Sequence, residues 1–447
     1  MKKLFTTLSN IWKIQELKER ILYTLTILVI YRIVCQVVLP GVDPSQIVNN
    51  EKTGILGLLD MFAGGAFSKV SIVALGVMPY ISASIVVQLL GIAVPTFQKM
   101  QKEGESGRKK LTQITRYLTV AITLVQSIGY VKTQIVSPHP TAVLISSPTL
   151  FYVLSAFVLT AGTLFVMWLG EKITDKGIGN GTSLIIMVGI IARLPAAVTS
   201  EFSALFAGND GGLIRLVLEI VALFAVIMFT ILIVQGVRKV PVQYAKRIVG
   251  NRQVGGVRQY IPLKVNAAGV MPIIFAQALM FIPSAIIGMF PNLQSSWLHN
   301  YVDITSVTYS ATFAFLIIAF TFFYTAITVN PTQMSDDMKK NNGFIPGVKP
   351  GLATSTFIDD VISKITFPGS LFLAIIAILP SIAVKANINQ EFAHFFGGTS
   401  LLILVGVVLD TLQQIESYLL MRHYDGLMKT GRVTGRTGIP AGGGAAL

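Results

Sequence analysis

The sequence predicts an all-α polytopic membrane protein with ten transmembrane helices. Three observations carry that expectation. The 447 residues are 53% hydrophobic and only 13% charged, with a mean hydropathy of +0.68; soluble domains run at about 45–50% apolar and about 25% charged. A bilayer core takes roughly 20 mainly apolar residues per helix. Such stretches recur near 21–38, 74–94, 117–136, 150–169, 183–198, 213–236, 267–290, 311–329, 367–384 and 401–420. The charge is lopsided, Lys+Arg 35 against Asp+Glu 21, and 28 of the 35 cations fall in alternate connections and the two ends. This composition excludes a soluble enzyme with a solvated surface, and it excludes a disordered chain. An excess of Lys and Arg marks the cytoplasmic side, so both termini are expected there.

Residues 1–20 form the first segment. Met1-Lys2-Lys3 resembles a signal-peptide start, but Lys13, Glu16, Lys18, Glu19 and Arg20 precede any long apolar run and no small-residue cleavage site follows. With Ile11, Trp12, Ile14 and Leu17 on one side, 9–20 reads as an amphipathic interfacial helix. The first span carries Arg32. The segment 53–73 is apolar in patches but interrupted by Asp60, Gly64, Gly65 and Lys69. It is either a re-entrant piece lining a cavity or an interfacial hairpin, because irregular backbone at membrane depth survives only where protein or water surrounds it. On the second span Ile81, Ile85 and Gln88 share one helical stripe, with Ser82 and Ser84 beside it; small and polar residues of this kind also serve plain helix packing.

The connections differ in charge. Loop 237–266 carries Arg238, Lys239, Lys246, Arg247, Arg252, Arg258 and Lys264 and no acid. Topology and anionic lipid explain such an excess, and so does a docking surface for phosphates or an acidic protein. Loop 330–366 balances Lys339, Lys340, Lys349 and Lys364 against Asp336, Asp337, Asp359 and Asp360, so docking there rests on shape.

Nothing in the chain resembles a catalytic or cofactor site. Cys35 is the single cysteine, and His139, His299, His394 and His423 lack metal-ligand spacing. Gly177-Ile178-Gly179-Asn180-Gly181 has no preceding strand to make it a dinucleotide turn, and Gly104–Lys109 lacks the ending of a phosphate loop. Asn180-Gly181-Thr182 matches a glycosylation sequon on the expected cytoplasmic side. Asp410 and Glu416, near the end of the last span, are expected to face water.

Five motifs in order then resemble the SecY family of bacterial protein-conducting channel subunits. They are Leu75-Gly76-Val77-Met78-Pro79-Tyr80-Ile81-Ser82-Ala83-Ser84-Ile85, Lys102–Arg108, Gly177–Gly181, Pro262–Asn266 leading to Gly269-Val270-Met271-Pro272, and Phe344–Gly351. The resemblance implies two halves related by a pseudo-twofold around an hourglass pore: 21–212 with spans one to five, and 213–420 with spans six to ten. A cytoplasmic tail, 421–447, follows. It implies a pore ring of Ile81, Ile85, Ile186, Ile190, Ile274 and Val408, where relatives often carry isoleucine at the last position. A narrow aliphatic collar dewets and seals. It implies that about 53–73, with Asp60, Gly64 and Gly65, is a plug, and that spans two and seven form a lateral gate bearing Ser84, Gln88 and Gln277. Arg247, Arg252, Arg258 and Lys349 become candidates for docking a ribosome or a SecA-like ATPase motor. Lys349 stands where the family usually has arginine, keeping the charge and losing the bidentate fork. SecE-like and SecG-like membrane subunits, signal-bearing precursor polypeptides and anionic lipid complete the implied partners, with no cofactor and no catalysis. The expected function is a gated channel in the cytoplasmic membrane that passes unfolded polypeptides across it or sideways into lipid. The rival is a secondary transporter for a small solute, which also shows paired five-helix halves but buries ionisable groups at midplane.

Overall fold

The computed structural model describes residues 14–47, 55–145, 147–207, 212–244, 247–249, 252–254, 258–289, 303, 306–386 and 388–429. Residues 1–13 of the expected interfacial helix, Trp12 included, and the tail from 430 lie outside the described residues.

Each of the ten apolar stretches carries a long helix. In chain order these are α1 (Gln15–Val34), α3 (Met78–Ala93), α5 (Glu105–Tyr130), α6 (Pro148–Lys176), α7 (Gly181–Ala207), α8 (Gly212–Gln235), α9 (Met271–Met289), α10 (Val307–Thr328), α12 (Leu352–Lys385) and α14 (Gly398–Lys429). Four short helices interleave: α2 (Ile55–Phe62), α4 (Pro95–Lys102), α11 (Pro331–Lys340) and α13 (Gln390–Ala393). By length and composition seven of the long helices cross a bilayer unaided: α5, α6, α7, α8, α10, α12 and α14. An eighth span results if α3 and α4, bent by 102° at Val94-Pro95, count together. Pro95 cannot donate to continue α3, and it suits the first turn of α4. The other two long helices, α1 and α9, fall short for definable reasons. Five charges (Glu16, Lys18, Glu19, Arg20 and Arg32) sit within the 20 residues of α1, and the apolar described part of α9 is the short Met271–Met280.

The packing repeats. In the first half the second span packs on the third, the third on the fourth, the fourth on the fifth, and the first on the fourth. The second half follows suit, with α9 on α10, α10 on α12, α12 on α14, and α8 on α12. This recurrence supports two halves of five helices each. They meet where α7 touches α8 and α14, and again where α3 touches α9.

Close helix contacts rest on small residues, as expected without a hydrophobic drive between helices in lipid. A Cβ on Gly162 of α6 would lie 2.0 Å from the Ile72 carbonyl oxygen, and one on Gly181 of α7 would lie 1.9 Å from that of Gly170. The glycine-rich turn 177–181 is a junction between helices. Its Ile178 and Gly179 amides donate to Thr24 Oγ1 (3.1 Å) and Gln414 Oε1 (2.9 Å), tying α1 and α14 to the α6–α7 turn. Asp410 and Glu416 are exposed on α14, as expected.

Loops 237–266 and 330–366, separate in the sequence, form one folded unit. Loop 237–266 is an antiparallel ribbon of β1 (Val237–Tyr244) and β4 (Arg258–Lys264), with a small hairpin of β2 (Arg247–Val249) and β3 (Arg252–Val254) between them. From loop 330–366, β5 (Gly343–Phe344) adds to β1 at Gln243 and Tyr244, giving the order β4-β1-β5. Val240, Val242, Leu263, Met338, Ile345 and Ile358 form a separate small core beneath it. Pro241 is tolerated because β5 is too short to reach it, so that side of β1 needs no donor there.

Candidate pore, plug and gate

Aliphatic side chains from four helices converge between the halves. Ile81 and Ile85 lie one turn apart on α3, and Ile186 and Ile190 repeat the i, i+4 spacing on α7; all four belong to one buried cluster, Ile190 with no exposed surface. Ile274 on α9 packs against that cluster. From α14 the contributors are Ile403 and Val407. Val408, expected in the ring, is 39% exposed. Ile403 and Val408 thus lie on different faces of α14.

The segment after α1 folds inward. Helix α2 packs against α7, and the turns that follow bury Ala66, Phe67, Val70 and Val73. A Cβ on Gly64 would stand 2.9 Å from Gly189 Cα, and Gly64 takes φ +64° with Gly65 at +87°. The two backbones touch because neither position carries a side chain. Val70 is held at φ +49°, a conformation a β-branched residue adopts only under constraint, and its carbonyl accepts from the Leu39 amide at 2.9 Å.

Polar groups fasten this segment from three helices. Tyr31 and Arg32 of α1 donate to the carbonyls of Ala63 (3.4 Å) and Gly64 (2.9 Å), and Tyr130 of α5 donates to that of Phe67 (2.8 Å). Asp60, only 4% exposed, pairs with Arg193 of α7 and accepts from the Ser68 amide at 2.7 Å. Arg193 also donates to Ser68 Oγ at 3.0 Å. Sequence reasoning picked out Asp60, Gly64 and Gly65 but left Arg32 and Arg193 as unassigned cations. The available signal was their position, since an ionisable residue inside a span is a functional candidate by default.

Along the α3–α9 contact the expected polar residues do not meet each other. Gln88 Nε2 donates to Ser84 Oγ within α3 at 3.4 Å, while Gln277 is buried and hydrogen-bonds Tyr309 of α10. Phe275 of α9 belongs to the same buried cluster, and Met271, Ile274 and Ala278 pack against it.

On the ribbon unit, Arg247 and Arg252 lie on the β2–β3 hairpin and Arg258 opens β4; their side chains are outside the described residues. Lys349 is exposed on a turn between Gly347 (φ +87°) and Gly351 (φ +101°), and its carbonyl accepts from Thr354 Oγ1 at 2.9 Å. Leu352 beside it is 82% exposed. No group of three or more His, Cys, Asp or Glu poised for a metal occurs among the described residues.

The family model described as SecY matches residues 71–412. The chain belongs to the SecY family. Among curated relatives, the "Protein translocase subunit SecY" of Chlamydia muridarum is 42% identical over 455 aligned residues, covering 96% of this chain and 99% of the relative. The solved structure described as "The structure of a protein conducting channel" superposes with a TM-score of 0.65 at 19% identity, covering 90% of this chain and 92% of that one. "Sec61 in the Canine ribosome-channel complex from the endoplasmic reticulum" gives a TM-score of 0.61 at 18% identity, with the same coverage. SecY membership and the helical spans together make this a multi-pass membrane protein of a translocation-channel family, not of a catalytic one.

Proposed function

We propose that the chain is the channel subunit of a Sec-type protein translocase in the bacterial cytoplasmic membrane, with both termini cytoplasmic. It passes unfolded polypeptides through the collar of Ile81, Ile85, Ile186, Ile190, Ile274 and Ile403. The observation that carries this reading is the composition of that collar: aliphatic side chains from both halves, in one buried cluster. Such groups offer water and ions no hydrogen bonds, so the collar excludes both, yet it grips no particular substrate sequence. A small-solute transporter would present polar or ionisable groups at this point.

Residues 55–77 act as the plug. The α3–α9 contact acts as the lateral gate through which apolar segments leave into lipid. The cytoplasmic unit receives a ribosome or an ATPase motor resembling SecA, with Arg247, Arg252, Arg258 and Lys349 at the contact, and SecE-like and SecG-like subunits brace the halves. The chain has no recognisable nucleotide motif, so the motor or ribosome supplies the work. Reconstitution with a motor ATPase and a signal-bearing precursor tests the reading. ATP-dependent protection of the precursor from protease is the expected result, and its absence with active motor present overturns it.

A further inference from the structure

Arg193 lies three residues beyond Ile190 and four beyond Gly189 on α7, so collar, glycine contact and arginine follow one another along a single helix. Gly189 meets the plug backbone at Gly64, and Arg193 meets it at Asp60 and Ser68. Asp60 sits at the end of α2, almost fully buried, and also accepts from the Ser68 amide. One carboxylate and one guanidinium thus close the loop 60–68 on itself and fix it to the collar helix.

We propose that the Asp60–Arg193 pair is a releasable latch for the plug, tied to the state of the collar through α7. The proposal rests on the reading of 55–77 as plug and of the isoleucines as pore. Its chemistry follows from the cost of burying charge. A carboxylate in an apolar seat is stable only while paired, and it hydrates once the plug moves into water, which offsets the lost pair. An apolar residue at position 60 would lose on leaving and regain nothing. A charge pair therefore holds the plug in one register without making its departure prohibitive. A polypeptide that spreads Ile186 and Ile190 shifts the same helix that carries Arg193, so widening the collar draws the guanidinium away from Asp60.

The test uses the full chain with its membrane partners in planar bilayers, comparing Asp60→Asn, Arg193→Gln, the double variant and Ile190→Asn for resting ion conductance. Each latch variant is expected to raise conductance at least tenfold, because each removes the ion pair that joins the plug to α7. The double variant is expected at or below the leakier single. In a Cys35→Ala background, Ala66→Cys, otherwise fully buried, should be labelled faster by a membrane-impermeant maleimide in each single variant. Arg193→Lys, which keeps the charge and loses the second donor, should leak less than Arg193→Gln; it also serves should the glutamine variant fail to assemble. Single variants at parental conductance beside a leaky Ile190→Asn overturn the latch alone, as do effects that multiply in the double variant. An Ile190→Asn channel that stays tight overturns the pore reading itself.

Discussion

Ile403 and Val408 stand five residues apart on α14, which turns them about 140° from one another. Both are aliphatic and lie in the uninterrupted apolar run Leu401–Val408, so hydrophobic periodicity carries no phase there and one sequence cannot say which face meets the pore. Ile403 and Val407, one turn apart, share the buried cluster and Val408 does not, which is why Ile403 stands in the proposed collar. Replacing Ile403 by Asn should therefore raise resting ion conductance about as much as Ile190→Asn, while Val408→Asn should change it by less than about twofold. Planar-bilayer recordings of the two variants distinguish the assignments. The collar residues on α3, α7 and α9 were named through the family resemblance alone; periodicity put Ile81, Ile85 and Gln88 on one stripe, which plain helix packing explains equally well. Gln277 was recognisable as a buried polar residue, but its partner Tyr309 lies on a neighbouring helix, and no local pattern could have named it.

Short elements hold the connections together, and one of them carries a titratable group. His394 follows α13, outside the spans, and is buried between α13 and the start of α14; Ser400 Oγ donates to its backbone carbonyl at 2.7 Å. Burial lowers its pKa from 6.5 to about 4, because the charged imidazolium loses hydration there. The unfolded segment thus binds the proton more readily than the folded one. Stability relative to its value above pH 6.5 is lost as the pH falls through 6.5, and it is lowest below about 4. The full difference is about 3 kcal/mol. Protection factors of residues 388–400, taken relative to the intrinsic exchange rate at each pH, should fall between pH 7.5 and 5 in the parent, and His394→Gln should remove most of that dependence. The β-ribbon is the element that the sequence reading missed. Its alternation is confined to Val240 and Val242 among cations and prolines, and the strand β5 that completes it lies about 80 residues away.

Across the molecule, charge and architecture are arranged by half. The acid-free ribbon and the neutral loop join in one unit with its own small core, and that unit belongs entirely to the second half. Reversing Arg247, Arg252 and Arg258 to Glu should weaken binding of the motor or ribosome at least tenfold at low salt, with the difference shrinking as ionic strength rises. Equilibrium binding to vesicles containing the channel, measured across a salt series, checks this; unchanged affinity returns the ribbon to a topological role. The gathering of cations in alternate connections was legible by counting along the chain. Which loops would touch required the fold.

Helix α12 runs unbroken from Leu352 to Lys385, 34 residues, or about 50 Å. At one end Ile358 is buried in the small core beneath the ribbon, and further along Leu373, Ile376 and Ala377 are buried among α9, α10 and α14. A partner leaning on the ribbon thus has hold of a boom rooted deep in the bilayer. On the function proposed above, such a push is carried to α9, α10 and α14 together, and the α3–α9 contact is the line along which the halves part.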